Sequence, residues 1–240
     1  MQPTYDFDYH MHTDFTDGKN SIEEMVKAAN EKGLRNAAIT EHIRLDSPWI
    51  EKYMDDVNSA RENSDTKIIL GFETKLLDLN GTLDMPESSI DDAELIICSL
   101  HRIPGIHPME GELTISKLDP VKTPQAYMDA LMAICGNDDV DIIGHPFDLL
   151  YEHKVPLPSE AQMHVLARYL SASGKAVEMN TRYKVPPPKF VNICMLYGVK
   201  FSVGSDAHDV LRVGDISWAK DALNAANVGE KNIWRCNGYG

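Results

Sequence analysis

The segment Asp8-Tyr-His-Met-His-Thr-Asp-Phe-Thr-Asp-Gly18 is the starting point for predicting both the fold and the functional site. It begins as a short β-like run, and side chains two residues apart on a strand point to the same face. His10 and His12 would therefore place two imidazoles side by side, which is half of a metal site. Asp17, in a tight turn beside Gly18, could bring a carboxylate over the same place. A His-x-His pair is a weak signal alone, so the other ligands must come from elsewhere in the chain.

Composition limits the classes of protein to which the chain can belong. Its 240 residues, 43% hydrophobic and 25% charged, are enough for a full core in one or two domains. We expect no membrane span and no signal peptide, because no long apolar run and no basic leader are present. Four scattered cysteines without a C-x-x-C pair favour reduced thiols and a cytoplasmic protein. A net charge of −14 argues against stable nucleic-acid binding, but a small anionic substrate remains compatible because bound cations reverse the local charge. The oligomeric state is not readable from the sequence.

Short β-like runs alternate with helical stretches along the whole chain. Ser21-Ile-Glu-Glu24 is a capping box that opens one such helix, and Gly33 is placed to end it. The alternation predicts parallel strands joined by right-handed crossovers, in one domain over residues 1–240. A hairpin at Asn80-Gly81 and a loop over residues 102–122 interrupt the pattern, and we expect both to form walls around a substrate. The predicted strands are residues 5–9, 36–40, 67–73, 95–101, 140–145, 175–180 and 200–206.

Side chains that can bind metals stand at the end of nearly every predicted strand. In a β/α barrel all the carboxyl ends of the strands meet at one mouth, whereas in an open sheet they spread along a line. We therefore expect a barrel. One histidine or carboxylate of this kind is more often structural, but that explanation does not account for nine in equivalent positions. The nine candidates are His10, His12, Asp17, His42, Glu73, His101, His145, Asp206 and His208.

Six imidazoles and three carboxylates are more ligands than one ion takes, since zinc typically binds four. The set predicts two to three divalent metal ions. Mixed nitrogen and oxygen ligation without thiolate fits Zn, Mn or Fe, and the spacing does not choose among them. Clustered metals suit hydrolysis, because they ionise a bound water near neutral pH and stabilise the oxyanion that develops. The sequence therefore predicts a metal-dependent hydrolase.

An ordered set of motifs extends over about residues 6–208: Asp8-Tyr-His-Met-His12, Thr16-Asp-Gly18, Ile39-Thr-Glu-His42, Gly71-Phe-Glu73, Ser99-Leu-His101, Gly144-His-Pro146 and Gly204-Ser-Asp-Ala-His208. This set resembles that of the polymerase and histidinol phosphatase (PHP) family. The resemblance implies an α/β fold, a distorted (β/α)₇ barrel of the TIM-like PHP type, with a trinuclear metal site. The implied ligands are His10, His12, Glu73 and Asp206 for one metal, Glu73, His101 and His145 for a second, and Asp17, His42 and His208 for the third.

The same resemblance implies hydrolysis of a phosphate monoester, either histidinol phosphate or a related small phosphate. A metal-bridging hydroxide would attack phosphorus in line with the leaving alkoxide. The catalytic candidates are Glu73, Asp206 and His208. Whether Asp206 or a metal-bound water handles the proton stays open at this point.

Four further residues are candidates for substrate binding. The guanidinium groups of Arg102 and Arg182 match phosphate geometry, although either residue could be an ordinary surface arginine. Glu178 and Asn180 alternate with Met179 on the sixth predicted strand and would face the mouth of the barrel. There they would bind polar groups of the substrate or fill the barrel interior.

Three other functions stay open from the sequence. A metal-dependent amidohydrolase also opens with His-x-His, but it commonly uses a carbamylated lysine in the bridging position that Glu73 would take here. A phosphodiesterase acting on nucleotides or short oligonucleotides would use the same ligands. A non-catalytic scaffold stabilised by metals would bind them without turnover.

Overall fold

The structure is a computed structural model that describes residues 3–106 and 118–236. Seven parallel strands pair in sequence order, from β1 to β7. The strands are β1 (Phe7–Asp8), β2 (Asn36–His42), β3 (Lys67–Lys75), β4 (Leu95–Ser99), β5 (Ile142–Gly144), β6 (Ala176–Asn180) and β7 (Lys200–Gly204). The α-helices are α1 (Ile22–Glu31), α2 (Ile50–Arg61), α3 (Glu87–Asp92), α4 (Lys122–Cys135), α5 (Asp148–Glu152), α6 (Glu160–Ser173), α7 (Pro188–Leu196) and α8 (Ser217–Ala225).

The sheet curls into a nearly closed barrel in which single contacts join the first strand to the last. The Tyr9 amide donates to the Val203 carbonyl at 3.1 Å, and the Asp206 amide donates to the His10 carbonyl at 2.9 Å. The carboxylate of Asp8, which is fully buried, accepts further hydrogen bonds from amides beyond β7. These contacts attach the segment after β1 to the segment after β7. Both segments carry predicted metal ligands.

Helices α1 and α6 begin at capping residues that are recognisable in the sequence. Ser21 and Ser159 form capping boxes at the starts of α1 and α6, and Gly174 ends α6 with a left-handed φ of 74°. Strands such as β2 are buried on both faces, as expected for a parallel sheet covered by helices. Within the described residues, no helix is both long and apolar enough to cross a bilayer.

The predicted barrel of seven β/α units is confirmed, with differences in the short elements. The first strand has two residues instead of the predicted five, and beyond Asp8 the chain returns to β2 at Met11, whose carbonyl accepts from the Thr40 amide at 2.8 Å. Helices α3 and α5, of six and five residues, are too short to show a helical period in the sequence. The predicted hairpin consists of one antiparallel bridge between Leu76 and Leu83. Residues 107–117 of the predicted substrate loop lie outside the described residues.

Candidate metal centre

The structure brings all nine predicted ligands together at the mouth of the barrel. Seven of them line one pocket of about 610 Å³. The other two, His10 and His12, are buried directly behind it, with Nε2 atoms 3.4 and 3.5 Å from the Glu73 carboxylate. Side chains from six of the seven β/α units therefore converge on one point, as the barrel predicts.

The carboxylate of Glu73 is the centre of this arrangement. It is 1% exposed and surrounded by five imidazoles. Glu73 is the last residue of the predicted third strand, and β3 continues two residues beyond it. The nitrogen atoms nearest Oε2 are His42 Nδ1 at 2.8 Å, His10 Nε2 at 3.4 Å and His12 Nε2 at 3.5 Å, and those nearest Oε1 are His145 Nε2 at 2.9 Å and His101 Nε2 at 3.7 Å.

The donor atoms at the centre fit metal ions better than they fit one another. Glu73 Oε2 and His12 Nδ1 are buried without a properly directed hydrogen bond within the described residues, which is costly for polar atoms. The Nε2 atoms of His10 and His12 lie only 3.0 Å apart, so two nitrogen lone pairs face each other unless a proton or a cation lies between them. A set of imidazole nitrogens and carboxylate oxygens without thiolate suits Zn, Mn or Fe.

Within the described residues, the ligand atoms form three groups, and the atoms of each group all lie within 4.8 Å of one another. The groups are His10, His12 and Glu73; His12, Asp17, His42 and His208; and His42, Glu73 and His101. The first and second groups contain most of the ligands predicted for the first and third metals. Asp206 approaches the first group through His12, at 3.8 Å from Oδ1 to Nε2. In the third group His42 takes the place predicted for His145. The site can therefore hold divalent metals, and the trinuclear arrangement stays a prediction.

The electrostatics of the centre show that metal binding must compete with protons. Burial alone would raise the pKa of Glu73, but the surrounding imidazoles, led by His10 and His42, lower it well below the ordinary value. Burial would lower the pKa of His42, but the Glu73 and Asp17 carboxylates raise it to about 10. Burial lowers the pKa of His101 to about 4, so that this imidazole is neutral and ready to bind a cation. Metal affinity should therefore fall as the pH is lowered.

Two ligands have an unusual backbone conformation. His145 and Asp206, just beyond β5 and β7, have positive φ angles of 24° and 55°. Residues other than glycine seldom adopt such angles, although histidine and aspartate do so more often than most, and the surrounding structure holds them there. The hydrogen bond from the Asp206 amide to His10 provides part of this restraint. The two turns aim the side chains at the site instead of along the barrel wall.

The predicted substrate-binding residues Glu178 and Asn180 lie against the metal ligands and are fully buried. Glu178 Oε1 is 2.7 Å from His10 Nδ1, and Oε2 accepts a hydrogen bond of 2.6 Å from the His145 amide. The Asn180 side chain donates to Asp206 Oδ2 at 3.1 Å. This geometry favours a role in orienting ligands over the predicted contact with substrate, because the polar atoms of both side chains are already engaged.

The two predicted phosphate clamps, Arg102 and Arg182, both line the pocket. Arg182 Nη1 lies 3.4 Å from Asp206 Oδ1 and 2.8 Å from His208 Nε2. The Arg182 side chain is 41% exposed, and its guanidinium lies beside the metal centre and the open pocket. Tyr183 stacks beside it, with the guanidinium carbon 5.5 Å from the ring centroid.

Sequence reasoning missed two carboxylates that support the ligands. Asp148 Oδ2 lies 2.8 Å from His145 Nδ1, an arrangement that fixes the orientation of a ligating imidazole. The signal was present as His145-Pro-Phe-Asp148, with the acid three residues after the ligand. Glu41 is buried beside His42 and accepts hydrogen bonds from the Thr13 amide and the Thr16 hydroxyl. It thereby fixes the turn that carries Asp17.

We expect Glu41→Gln to stabilise the metal-free protein at high pH. Burial raises the pKa of Glu41 from 4.5 to about 7. The unfolded chain therefore loses this proton first, and the free energy of unfolding falls by about 3 kcal/mol as the pH rises between these values. Thermal unfolding with a chelator should show a larger gain for Glu41→Gln at about pH 8 than at about pH 5.5. An equal gain at both pH values, or a similar gain for the exposed Glu62→Gln, would contradict the assignment.

Comparison with known proteins identifies the family to which this arrangement belongs. The family model described as PHP domain matches residues 8–182. The chain belongs to the PHP domain family. A relative named probable phosphatase from Caldicellulosiruptor saccharolyticus is 28% identical over 192 residues, 79% of this chain and 74% of the relative. Another of that name, from Thermoanaerobacter sp. (strain X514), is 28% identical over 235 residues, 93% of this chain and 87% of the relative.

A solved structure shares the fold of this PHP chain. The histidinol phosphate phosphatase of Lactococcus lactis, determined with zinc, L-histidinol and phosphate, superposes with a TM-score of 0.68. It is 22% identical, and the match covers 95% of this chain and 98% of that one. The predicted family and barrel are therefore confirmed. The names of the curated relatives agree with the predicted class of enzyme, a hydrolase acting on phosphoric esters.

Proposed function

We propose that the protein is a metal-dependent phosphoesterase that hydrolyses a phosphate monoester of a small molecule at a trinuclear centre. The observation that carries the proposal is the convergence of nine side chains with nitrogen and oxygen donors, with the Glu73 carboxylate at their centre, in a pocket that three arginines also line. Membership of the PHP family and the names of the curated relatives support the same class of reaction.

Glu73 would hold cations through both oxygens, because Oε2 faces His42 Nδ1 and Oε1 faces His145 Nε2. Bound divalent cations would supply Lewis acidity toward the phosphoryl oxygens and a water that ionises near neutral pH. His10 and His145 are held in position by Glu178 and Asp148, so their ring orientations are fixed before any cation arrives. Bound cations would reverse the chain's charge of −14 locally, where the anionic substrate would bind.

Arg182 and Arg102 would clamp the transferred phosphoryl group with guanidinium hydrogen bonds. Asp206 is the candidate to hold the proton of the leaving group. Its Oδ2 accepts from Asn180, while Oδ1 faces the pocket side, 3.4 Å from Arg182. His208 lies beside Asp206 and within hydrogen-bond distance of Arg182, and it is the second candidate to hold the proton of the leaving group.

A phosphoesterase is favoured over an amidohydrolase by the residues around the centre. The bridging position is occupied by the carboxylate of Glu73, and the ammonium of Lys75, the lysine among the described residues that line the pocket, lies 3.0 Å from the Asp84 carboxylate. An amidohydrolase with a carbamylated lysine therefore does not fit. The pocket, at about 610 Å³, has the size of a small-molecule site.

Removal of metal tests the proposal. Protein stripped with chelator should release no phosphate from p-nitrophenyl phosphate, and reloading with Zn²⁺, Mn²⁺ or Fe²⁺ should restore turnover as two to three ions bind. Bis(p-nitrophenyl) phosphate tests the phosphodiesterase alternative, and a cyclic amide tests the amidohydrolase. Stoichiometric metal without hydrolysis of any monoester would instead indicate a scaffold stabilised by metals.

A further inference from the structure

The pocket carries more positive charge than the capture of one phosphate requires. Among the described residues that line it, three are carboxylates, and all three are predicted metal ligands. Two of its four Arg and Lys side chains, Arg102 and Arg182, are the proposed phosphate clamps. The other two, Arg44 and Lys75, have no role in the reaction described above.

Arg44 and Lys75 lie one strand repeat outward from the metal centre. In the pairing of β2 with β3, His42 stands opposite Glu73, and the Ile43 amide donates to the Glu73 carbonyl at 3.0 Å. Lys75 follows Glu73 by two residues within β3 and so shares its face of the sheet, and Arg44 follows His42 by two residues just beyond the end of β2 and lines the same pocket. Two residues of strand span about 7 Å, which is the reach of a small leaving group.

A buried carboxylate outside the pocket holds this pair in place. Asp84, 7% exposed, lies 3.0 Å from Lys75 Nζ, and its Oδ1 accepts from the Leu45 amide at 3.1 Å. The turn that follows β2 is closed by Ser47, whose hydroxyl accepts a hydrogen bond from the Arg44 amide at 3.0 Å. Asp84 compensates the charge of Lys75. The Arg44 guanidinium, by contrast, forms no hydrogen bond or ion pair within residues 3–106 and 118–236, and it faces the pocket.

We propose that Arg44 is a second anion-binding site, and that the preferred substrates are phosphate monoesters whose leaving group carries its own carboxylate or phosphate. The inference rests on the proposed function and specifies its substrate class. A leaving group with an ammonium, such as histidinol, would meet a guanidinium where it needs a carboxylate. Histidinol phosphate, expected from the sequence as one possible substrate, is therefore disfavoured.

A matched series of monoesters on the metal-loaded protein tests the charge of the leaving group. Propyl phosphate is neutral at the far end, 3-aminopropyl phosphate is cationic, and 3-phosphonooxypropanoate and propane-1,3-diyl bisphosphate are anionic. We expect kcat/KM to be about tenfold higher for the anionic members than for propyl phosphate, and lowest for the amine. A comparison of the two anionic compounds shows whether the second site prefers a carboxylate or a phosphate on the leaving group.

Variants connect that preference to the residue. Arg44→Gln should remove the advantage of the anionic members and leave propyl phosphate unchanged. Arg35→Gln is the matched control, since Arg35 is an exposed arginine just before the opposite end of β2. Equal kcat/KM across the series, or an unchanged preference in Arg44→Gln, would overturn the second site alone. Failure to hydrolyse any member would overturn the proposed function.

Binding without turnover gives a second readout. The phosphonates 4-phosphonobutanoate and butylphosphonate reproduce the carboxylate and neutral members and cannot be hydrolysed. Calorimetry should show about tenfold tighter binding of 4-phosphonobutanoate to the wild type and equal binding of both compounds to Arg44→Gln. Equal affinity for the wild type would contradict the proposal whatever the turnover measurements show.

Discussion

Glu73→Gln should abolish phosphate release and lower the metal content while the barrel stays folded. The substitution keeps the shape of the side chain but removes the negative charge that five imidazoles surround. An amide cannot bridge two cations, because its nitrogen has no lone pair to offer. We expect kcat/KM to fall by at least about 10³-fold. Elemental analysis of the purified protein should show the loss of one or more ions.

The exposed Glu62→Gln is the control for this substitution and should match the wild type in both measurements. Circular dichroism and the melting temperature distinguish a lost site from a lost fold. A Glu73→Gln protein with wild-type metal content and activity would remove the carboxylate from the centre of the proposed site. The amide can still accept one hydrogen bond, so local packing should survive.

Glu178→Gln should weaken metal binding although residue 178 is not a predicted ligand. Each oxygen of the Glu178 carboxylate has its own donor, His10 Nδ1 on one side and the His145 amide on the other. A carboxamide offers only one acceptor, and its NH₂ group would face a second donor. We expect metal affinity and kcat to fall by about 10- to 100-fold, measured by competition with a chelator and by phosphate release. A purely structural role would lower the melting temperature and leave the affinity for metal unchanged.

An independent variant reaches the same contact from the other side. A Cβ added at Gly204 would lie 2.2 Å from Glu178 Oε1 and 2.6 Å from the Cβ of His10. Gly204→Ala should therefore displace Glu178 and reproduce the loss of metal affinity. Gly229→Ala is the matched control, since nothing lies within 4 Å of its added Cβ. Equal metal affinity in the two glycine variants would argue against the orienting role of Glu178.

The repeating β/α pattern was readable because it is local. The period of two along strands and the caps at Ser21 and Ser159 depend on neighbours within a few residues. The short pieces were not readable for the same reason. Helix α5 has five residues, fewer than are needed to establish a period, and β1 has only two. The contacts that hold β1 to the segment after β7 join residues almost 200 positions apart, and no local sequence pattern predicts such contacts.

The nine metal-binding candidates could be predicted from the sequence, because they lie at or after the ends of the predicted strands, and a barrel brings all such ends to one mouth. The sequence did not determine how those residues divide among the cations. His42 and His145 are equivalent in the sequence, but only side-chain orientation decides which of them shares a group with His101.

The roles of Glu178 and Asp148 also depended on the tertiary structure. An acid on an inward-facing strand position can contact substrate or support a ligand, and the outcome depends on which side chains the folded barrel places beside it. Sequence spacing determines the face on which a side chain lies. Distances between separate β/α units determine what that side chain can bind, and those distances exist only after the barrel has closed.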